Sequence, residues 1–486
     1  MKFKTTPYAH QLDEYHHSRD LAARGLFWEM GCGKTKPCID TAAHLYQEGA
    51  IRGLLVLAPN GVHRNWVVDE LPTHMPDEVQ DQMRVMHWMT SKAGNKAHAD
   101  EAAAVLAHRG LSVVCMSYNG IMTDKGAKFI RRFVEDRQCM GVLDESPYIK
   151  SPGAKRTKRI MALAKYLPYR RILTGTVVDD KPFDVYTQIK WLDEKAWNSV
   201  GCGDYSAFKA TFGVWQTRQL GNGRQFPELV RFRNLPMLNE VVARYGSRLL
   251  KENVLDLPPK LYSKRYFEMT PAQWRAYTEL RDEMLTWIDG QPITAALAIT
   301  MRLRLQQVTS GYLPTEDPDT DEQQLVPLGD KNPRIDALLN VLDEADGQQV
   351  IVWAKYRYDI DHILAALHDA KVDAVRYDGQ CTEAEAGEAV DAFKRGEARV
   401  FVANPAKGAE GITLTCAKTV VYFNNSYKLS KRLQSEDRAH RIGQEHPVQI
   451  IDLCAQDTVD EQIIDALRNK FEMAATVQGD DLRNWI

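Results

Sequence analysis

The segment Glu29-Met30-Gly31-Cys32-Gly33-Lys34-Thr35 lies between an apolar run and a helical pattern, and its residue types suit a bound nucleoside triphosphate. Gly31 and Gly33 let backbone N–H groups approach phosphate oxygens, Lys34 can reach the terminal phosphates, and Thr35 offers a hydroxyl to Mg²⁺ at a helix N-terminus. A full phosphate loop would carry glycine where Trp28 stands, so the segment alone leaves a chance match open. Downstream, an apolar run ends in Leu143-Asp144-Glu145-Ser146. Asp144 with Thr35 would hold the metal, and Glu145 would position the attacking water, because phosphoryl transfer to water needs neutralised charge and an oriented nucleophile. An Asp-Glu pair is common surface decoration; its strand spacing after a glycine loop is what gives it weight. Arg438 and Arg441 stand three apart and would share a face on a helix. Guanidinium groups meeting the γ-phosphate contribute about 10³ to 10⁵ in rate, roughly 4 to 7 kcal/mol of barrier. The alternative for either arginine is a solvated basic helix.

The elements that must hold these groups form two halves of one grammar. Short β-branched runs alternate with amphipathic helical stretches, the pattern of an α/β protein with parallel sheets. The first half offers Leu26 to Trp28, Leu54 to Ala58, Ser112 to Met116, Gly141 to Leu143 and Arg171 to Leu173. The second offers Val350 to Ala354, Ala374 to Tyr377, Val400 to Ala403, Val420 to Phe423 and Gln449 to Leu453. The glycine loop and Asp144-Glu145 both fall at carboxyl ends of such strands, where these sheets bind ligands. Between the halves the texture changes to aromatic-rich helical patterns, a Gly221-Asn222-Gly223 break and Leu257-Pro258-Pro259-Lys260. The expected division is a first core over 1–189, helical projections and a hinge over 190–310, and a second core over 311–486 that carries the arginines. Six acids between Pro314 and Asp330 suggest a mobile surface loop.

At 486 residues, two or three domains are expected. No run is long enough to cross a bilayer, and the first residues lack the apolar core of a signal peptide, which points to an intracellular protein with no membrane partner. Eight scattered cysteines without a C-x-x-C pair indicate neither a zinc ribbon nor a disulfide framework. A net charge of −3 means that any polyanion must be met by a local basic patch. One candidate patch runs from Lys150 to Arg171 and another from Lys428 to Arg441; solvated helix faces are the plainer reading.

The order of motifs resembles the Swi/Snf-type branch of superfamily-two helicases. It runs Pro7-Tyr8-Ala9-His10-Gln11, the glycine loop, Leu55-Val56-Leu57-Ala58-Pro59 with Asn65-Trp66, Leu143 to Ser146, and Leu173-Thr174-Gly175-Thr176. There follow Leu257 to Lys260, Asp378-Gly379, Ala406 to Leu414, and Gln434 to Gln444 ending His-Arg-Ile-Gly-Gln. The resemblance implies two RecA-like cores in tandem and a DNA-dependent ATPase that uses ATP and Mg²⁺ to translocate on duplex DNA. It gives Gln11 to adenine; Gly31, Gly33, Lys34 and Thr35 to phosphate and metal; Asp144 and Glu145 to hydrolysis; Arg438 and Arg441 to the arginine fingers; and Gln434 to the neighbourhood of the nucleotide. Thr174 and Thr176 would link that site to DNA, and Gly408, Glu410 and Gly411 would shape a loop facing both ligands. Against the family pattern, Trp28 replaces an acid, Cys32 a Leu, Ser146-Pro147 an Ala-His, and Val177 a Pro. The Ser146 exchange puts coupling between nucleotide state and the core interface in doubt.

Tracking a duplex calls for sequence-independent phosphate contacts, and Asn60, Arg64, Lys150, Lys155, Lys355, Arg357, Lys407 and Lys428 follow strand ends or motif loops. Trp191, Trp197, Phe208, Phe212 and Trp215 could stack on bases, although aromatics at helical spacing more often form core. The leading expectation is a double-stranded DNA translocase that remodels protein–DNA complexes or branched replication and repair intermediates. A replication or repair protein is a candidate partner. No appended module stands out, which fits a bare motor of phage or prokaryotic type acting in cytoplasm or nucleoid. The alternatives are a single-strand or RNA helicase and a nucleotide-gated DNA clamp with little turnover.

Overall fold

The computed structural model describes residues 2–219, 225–290, 295–316, 323–408 and 411–480. They form two compact units, one from Met1–Val214, Arg231–Asp256 and Glu472–Leu482, the other from Trp215–Val230 and Leu257–Phe471.

The strands β1 (Ala23–Trp28), β2 (Gly53–Ala58), β3 (Met83–Trp88), β4 (Leu111–Ser117), β5 (Cys139–Asp144) and β6 (Tyr169–Leu173) belong to the first unit, and they are followed in the chain by a separate ribbon whose residues Trp215–Val230 fall in the second unit. The ribbon is β7 (Gly213–Gln219) with β8 (Gln225–Phe232), and β9 (Gly246–Leu249) then returns to the sheet. The seven-stranded sheet runs β3-β4-β2-β5-β6-β1-β9, and its pairings are parallel. Central strands β2, β4 and β5 are buried at every position, as expected for strands covered by helices on both faces. One core packs Leu54, Val56, Val113, Cys115 and Val142 against Ile39, Ala42 and Ala43 of the helix Thr35–Gln47.

The second unit contains β10 (Lys260–Phe267), the antiparallel pair β11 (Tyr312–Glu316) and β12 (Gln323–Pro327), then β13 (Val350–Trp353), β14 (Ala374–Tyr377), β15 (Val400–Ala403), β16 (Thr419–Tyr422) and β17 (Val448–Ala455). Its six-stranded sheet runs β10-β17-β16-β13-β15-β14, again with parallel pairings. The two parallel sheets expected from the alternating runs are therefore present.

The stretch 190–310 contains the helices Tyr205–Phe212, Leu235–Tyr245, Pro271–Gly290 and Ala295–Thr309, together with β9 of the first sheet and β10 of the second. The Gly221–Gly223 break, Glu410 and most of the acidic stretch after Glu316 lie outside the described residues. None of the eight cysteines forms a disulfide. Among the described residues no helix is long and apolar enough to cross a membrane.

Candidate nucleotide site and the arginine turn

β1 delivers the chain into the glycine loop, and the helix Thr35–Gln47 leaves it. Gly31 and Gly33 have φ of 83° and 70°, a left-handed backbone that side chains resist. At Gly33 a Cβ would also lie 2.3 Å from Gln11 Nε2. Gln11 itself donates Nε2 to Gly33 O at 3.0 Å and accepts Tyr8 N–H on Oε1 at 2.9 Å, so the glutamine is tied to the loop. His10, to which the sequence assigns no role, is tied to the loop one residue back, its Nε2 lying 3.0 Å from Cys32 O. Lys34 Nζ donates to Trp28 O at 3.0 Å and to Glu29 O at 3.2 Å. Trp28 is buried and donates Nε1 to Ser247 Oγ of β9 at 2.8 Å.

Asp144 ends β5 in a buried position. Burial raises its carboxyl pKa, opposed by Trp66 and Lys34, and Trp66 Nε1 donates to Oδ2 at 2.9 Å. Such a buried carboxylate beside the start of the Thr35 helix is the donor type that Mg²⁺ takes, with substrate phosphates and waters completing the shell. Among the described residues there is no cluster of three or more metal-type side chains. Glu145 follows with φ 55° and ψ 60°, left-handed for a non-glycine residue, a strained turn of the kind found at reactive positions.

Ser146 is fully buried and donates Oγ to Gln188 Oε1 at 2.6 Å, while Gln188 Nε2 donates to Val177 O at 2.8 Å. This relay joins the end of β5 to the turn after β6. Within that turn Thr174 Oγ1 accepts Thr176 N–H and donates to Thr176 O, both at 3.1 Å. Both threonines are buried. A Cβ on the intervening Gly175 would stand 3.3 Å from Met30 N, so the turn packs on the glycine loop. Arg248 of β9 ties the same parts together, donating to Phe27 O at 2.6 Å and Gly175 O at 3.3 Å. Neither Ser146–Gln188 nor Arg248 was foreseen, since nothing local in sequence marks pairs 42 and 73 residues apart.

In the second unit the helix Leu429–Glu436 ends before the two arginines. The shared helical face expected for Arg438 and Arg441 is thus not formed; Arg438 lies in a turn and Arg441 in a bend. The reason is local: Arg438 O accepts Leu414 N–H at 2.8 Å, and Gln444 Nε2 takes up Ala439 O at 3.0 Å, so these carbonyls leave the helical ladder. Arg438 donates to Gln434 O and to Ile412 O at 3.1 and 3.3 Å. Gln434 is buried and accepts from Lys431 at 3.2 Å. Beneath the helix lies an enclosed charge network. Arg432 donates to Glu436 Oε1 at 2.8 Å and to Asp452 Oδ2 at 3.0 Å, and its guanidinium sits 3.6 Å from the Tyr422 ring centroid. Lys260 and Tyr262 donate to Glu436 Oε2 at 2.9 and 2.8 Å. Arg432, read from sequence as part of a solvated basic face, is buried. So is Arg171 of the other basic stretch, which donates to Ser18 O at 2.8 Å.

The expected phosphate-gripping lysines divide into two kinds. Lys150 donates to Asp179 Oδ2 at 2.6 Å and to Asp180; burial disfavours its charge, and those carboxylates outweigh burial and raise its pKa. Lys355 donates to Gln306 Oε1 at 2.7 Å, and burial lowers its pKa to about 8. Lys407 donates to Asp378 O at 2.7 Å and to Cys381 O at 3.1 Å. Lys155, Asn60, Arg64, Arg357 and Lys428 are exposed. Gly408 closes the short helix Pro405–Gly408, and Gly411 has φ 84°. Of the aromatic set, Trp191, Trp197, Phe208 and Phe212 are buried, whereas Trp215 is 36% exposed.

A glycine loop opening a helix, a carboxylate at the end of another strand of the same sheet and a second parallel unit with an arginine turn define a helicase-like nucleotide-binding class. Residues 18–310 match the SNF2-related domain and residues 333–443 the helicase conserved C-terminal domain. The chain belongs to the SNF2-related family. It is 25% identical to the ISWI chromatin-remodeling complex ATPase ISW2 of Saccharomyces cerevisiae over 94% of this chain and 40% of that protein. Against the DNA annealing helicase and endonuclease ZRANB3 of Mus musculus it is 25% identical over 92% of this chain and 38% of that one. It thus spans about two fifths of the length of these curated relatives. Among solved structures it is similar to the Sulfolobus solfataricus SWI2/SNF2 ATPase core in complex with dsDNA, at 20% identity and a TM-score of 0.42, covering 99% of this chain and 98% of that one.

Proposed function

We propose that this chain is an ATP-driven translocase on double-stranded DNA that remodels protein–DNA complexes or branched replication and repair intermediates. The observation that carries the reading is the glycine loop tied to Gln11 after β1, with Lys34 acting on the buried Asp144 at the carboxyl end of β5 and the strained Glu145 next in the chain, in a member of the SNF2-related family. Gln11 and His10 hold the loop in shape, Lys34 exchanges its two carbonyl partners for phosphate oxygens, and Glu145 orients water. Thr35 and Asp144 would hold Mg²⁺, which neutralises phosphate charge when bound. Arg438 and Arg441 add guanidinium charge to the transferring phosphate, and the Thr174–Thr176 turn, packed on the glycine loop, carries nucleotide state toward the DNA side.

The direct test measures ATP hydrolysis with duplex, single-stranded and no DNA, for the native chain and Glu145→Gln. Stimulation by duplex that falls with added salt, with turnover lost in the variant and nucleotide binding kept, is the expected result. Stimulation by single strands or RNA alone would move the assignment to a strand-separating helicase. Turnover that barely changes in Glu145→Gln would make the chain a binding clamp.

A further inference from the structure

The ribbon β7–β8 is fixed at its base and exposed along its arms. Phe232 packs edge-on against Phe183 at 5.2 Å. Arg233 donates to Thr211 O at 3.1 Å and Ala210 O at 2.6 Å, and Asn234 donates to Thr211 O at 2.9 Å, so both residues satisfy carbonyls at the end of the helix Tyr205–Phe212. Beyond this anchor β7 is exposed from Gln216 to Gln219, and β8 is exposed or half-buried throughout. A two-stranded ribbon has little stability of its own in water, yet this one keeps Trp215, Phe226 and Val230 at 36, 37 and 56% exposure. Its charge runs against that of the chain. Residues 213–233 hold four arginines and one glutamate, net +3, in a protein of net −3. The one acid, Glu228, pairs with Arg218 at 2.9 Å with both side chains well exposed, a contact weak enough to exchange for another anion.

Arginines and exposed aromatic rings on one narrow arm match the chemistry of nucleic acid with unpaired bases: phosphate for guanidinium, base faces for indole and phenyl. We propose that the ribbon is a second DNA-contacting element that engages branched DNA, with Trp215 and Phe226 stacking on unpaired bases and Arg218 and Arg231 holding the adjoining phosphates. This rests on the reading of the chain as a DNA-dependent ATPase and names the structure it prefers, a junction between double and single strands.

The test compares the full chain with Trp215→Ala/Phe226→Ala and with Arg218→Glu/Arg231→Glu in ATPase assays titrated with blunt duplex and with a forked duplex bearing two single-stranded arms. The aromatic variant should need about tenfold more fork for half-maximal stimulation, equivalent to about 1.4 kcal/mol. It should shift less than twofold on blunt duplex, with DNA-free turnover unchanged. The charge-reversal variant should lose fork preference as well and show a shallower salt dependence. Equal shifts on fork and blunt duplex, or no shift on either, overturn the proposal while leaving translocation on duplex intact. Failure of the native chain to respond to any DNA would instead remove the underlying reading, and the proposal with it.

Discussion

Lys260 Nζ lies 2.9 Å from Glu436 Oε2, with the carboxylate completely buried, and so strand β10 is locked to the helix that precedes the arginine turn. Burial alone would raise the Glu436 carboxyl, but Lys260 and Arg432 outweigh it and hold its pKa at about 2. Removing one member of such a buried set leaves the others uncompensated, at a cost of about 3 to 5 kcal/mol. Glu436→Ala should lower the urea midpoint of the second unit accordingly. With a folded pKa below the unfolded value of 4.5, the stabilisation is fully present above pH 4.5 and is lost as pH falls toward 2. Acid titration followed by circular dichroism checks that window, and an unchanged midpoint in Glu436→Ala would refute the role of the pair.

Asp359 behaves in the opposite sense. It is buried beneath Asn424, whose Nδ2 donates to it, and burial raises its pKa to about 7 despite Asn424, Arg334 and Lys355. Because the folded value exceeds the unfolded 3.8, ionisation destabilises the fold progressively from about pH 4 to 7. Asp359→Asn should therefore gain, relative to the native chain, on the order of 2 kcal/mol between pH 5 and pH 8. Urea unfolding at the two pH values measures it.

Trp66→Phe keeps most of the buried volume and removes the N–H donated to Asp144. The carboxyl pKa rises further, since a bond to its charged form is lost. On the proposed role of Asp144, the Mg²⁺ concentration for half-maximal ATPase should rise roughly 10- to 150-fold, the equivalent of one hydrogen bond to a charged group at about 1.5 to 3 kcal/mol. Magnesium titrations at fixed ATP decide it.

Ser146→Ala breaks the link through Gln188 to Val177. The loss leaves a buried amide oxygen without its hydroxyl, a cost of about 1 to 3 kcal/mol. If the relay carries nucleotide state, DNA-free turnover should survive while stimulation by duplex falls severalfold. A purely structural role would lower melting temperature and leave the stimulation ratio unchanged.

What the sequence revealed follows from how locally each feature is encoded. Strands buried on both faces, such as Leu54 to Ala58 and Val400 to Ala403, announce themselves as unbroken apolar runs. Three of the edge strands, β3, β9 and β10, did not, because their exposed and half-buried positions mix in Arg84, Arg248, Lys264 and Arg265. The glycine loop and the Asp144-Glu145 pair were legible because their chemistry is written in adjacent residues. Trp66–Asp144 and Lys260–Glu436 lie 78 and 176 residues apart, so no spacing rule could find them. Basic residues proved least informative: Arg432 and Arg171 look solvated on paper, and only the fold shows them enclosed.

The left-handed backbone at Glu145 has an evolutionary corollary. Asparagine settles into that conformation more readily than glutamate does, so Glu145→Asn should relieve local strain on the order of 1 kcal/mol while discarding the carboxylate. On the proposed role of Glu145, the Glu145→Asn chain would be the more heat-stable and the less active of the two, a case of stability given up for function.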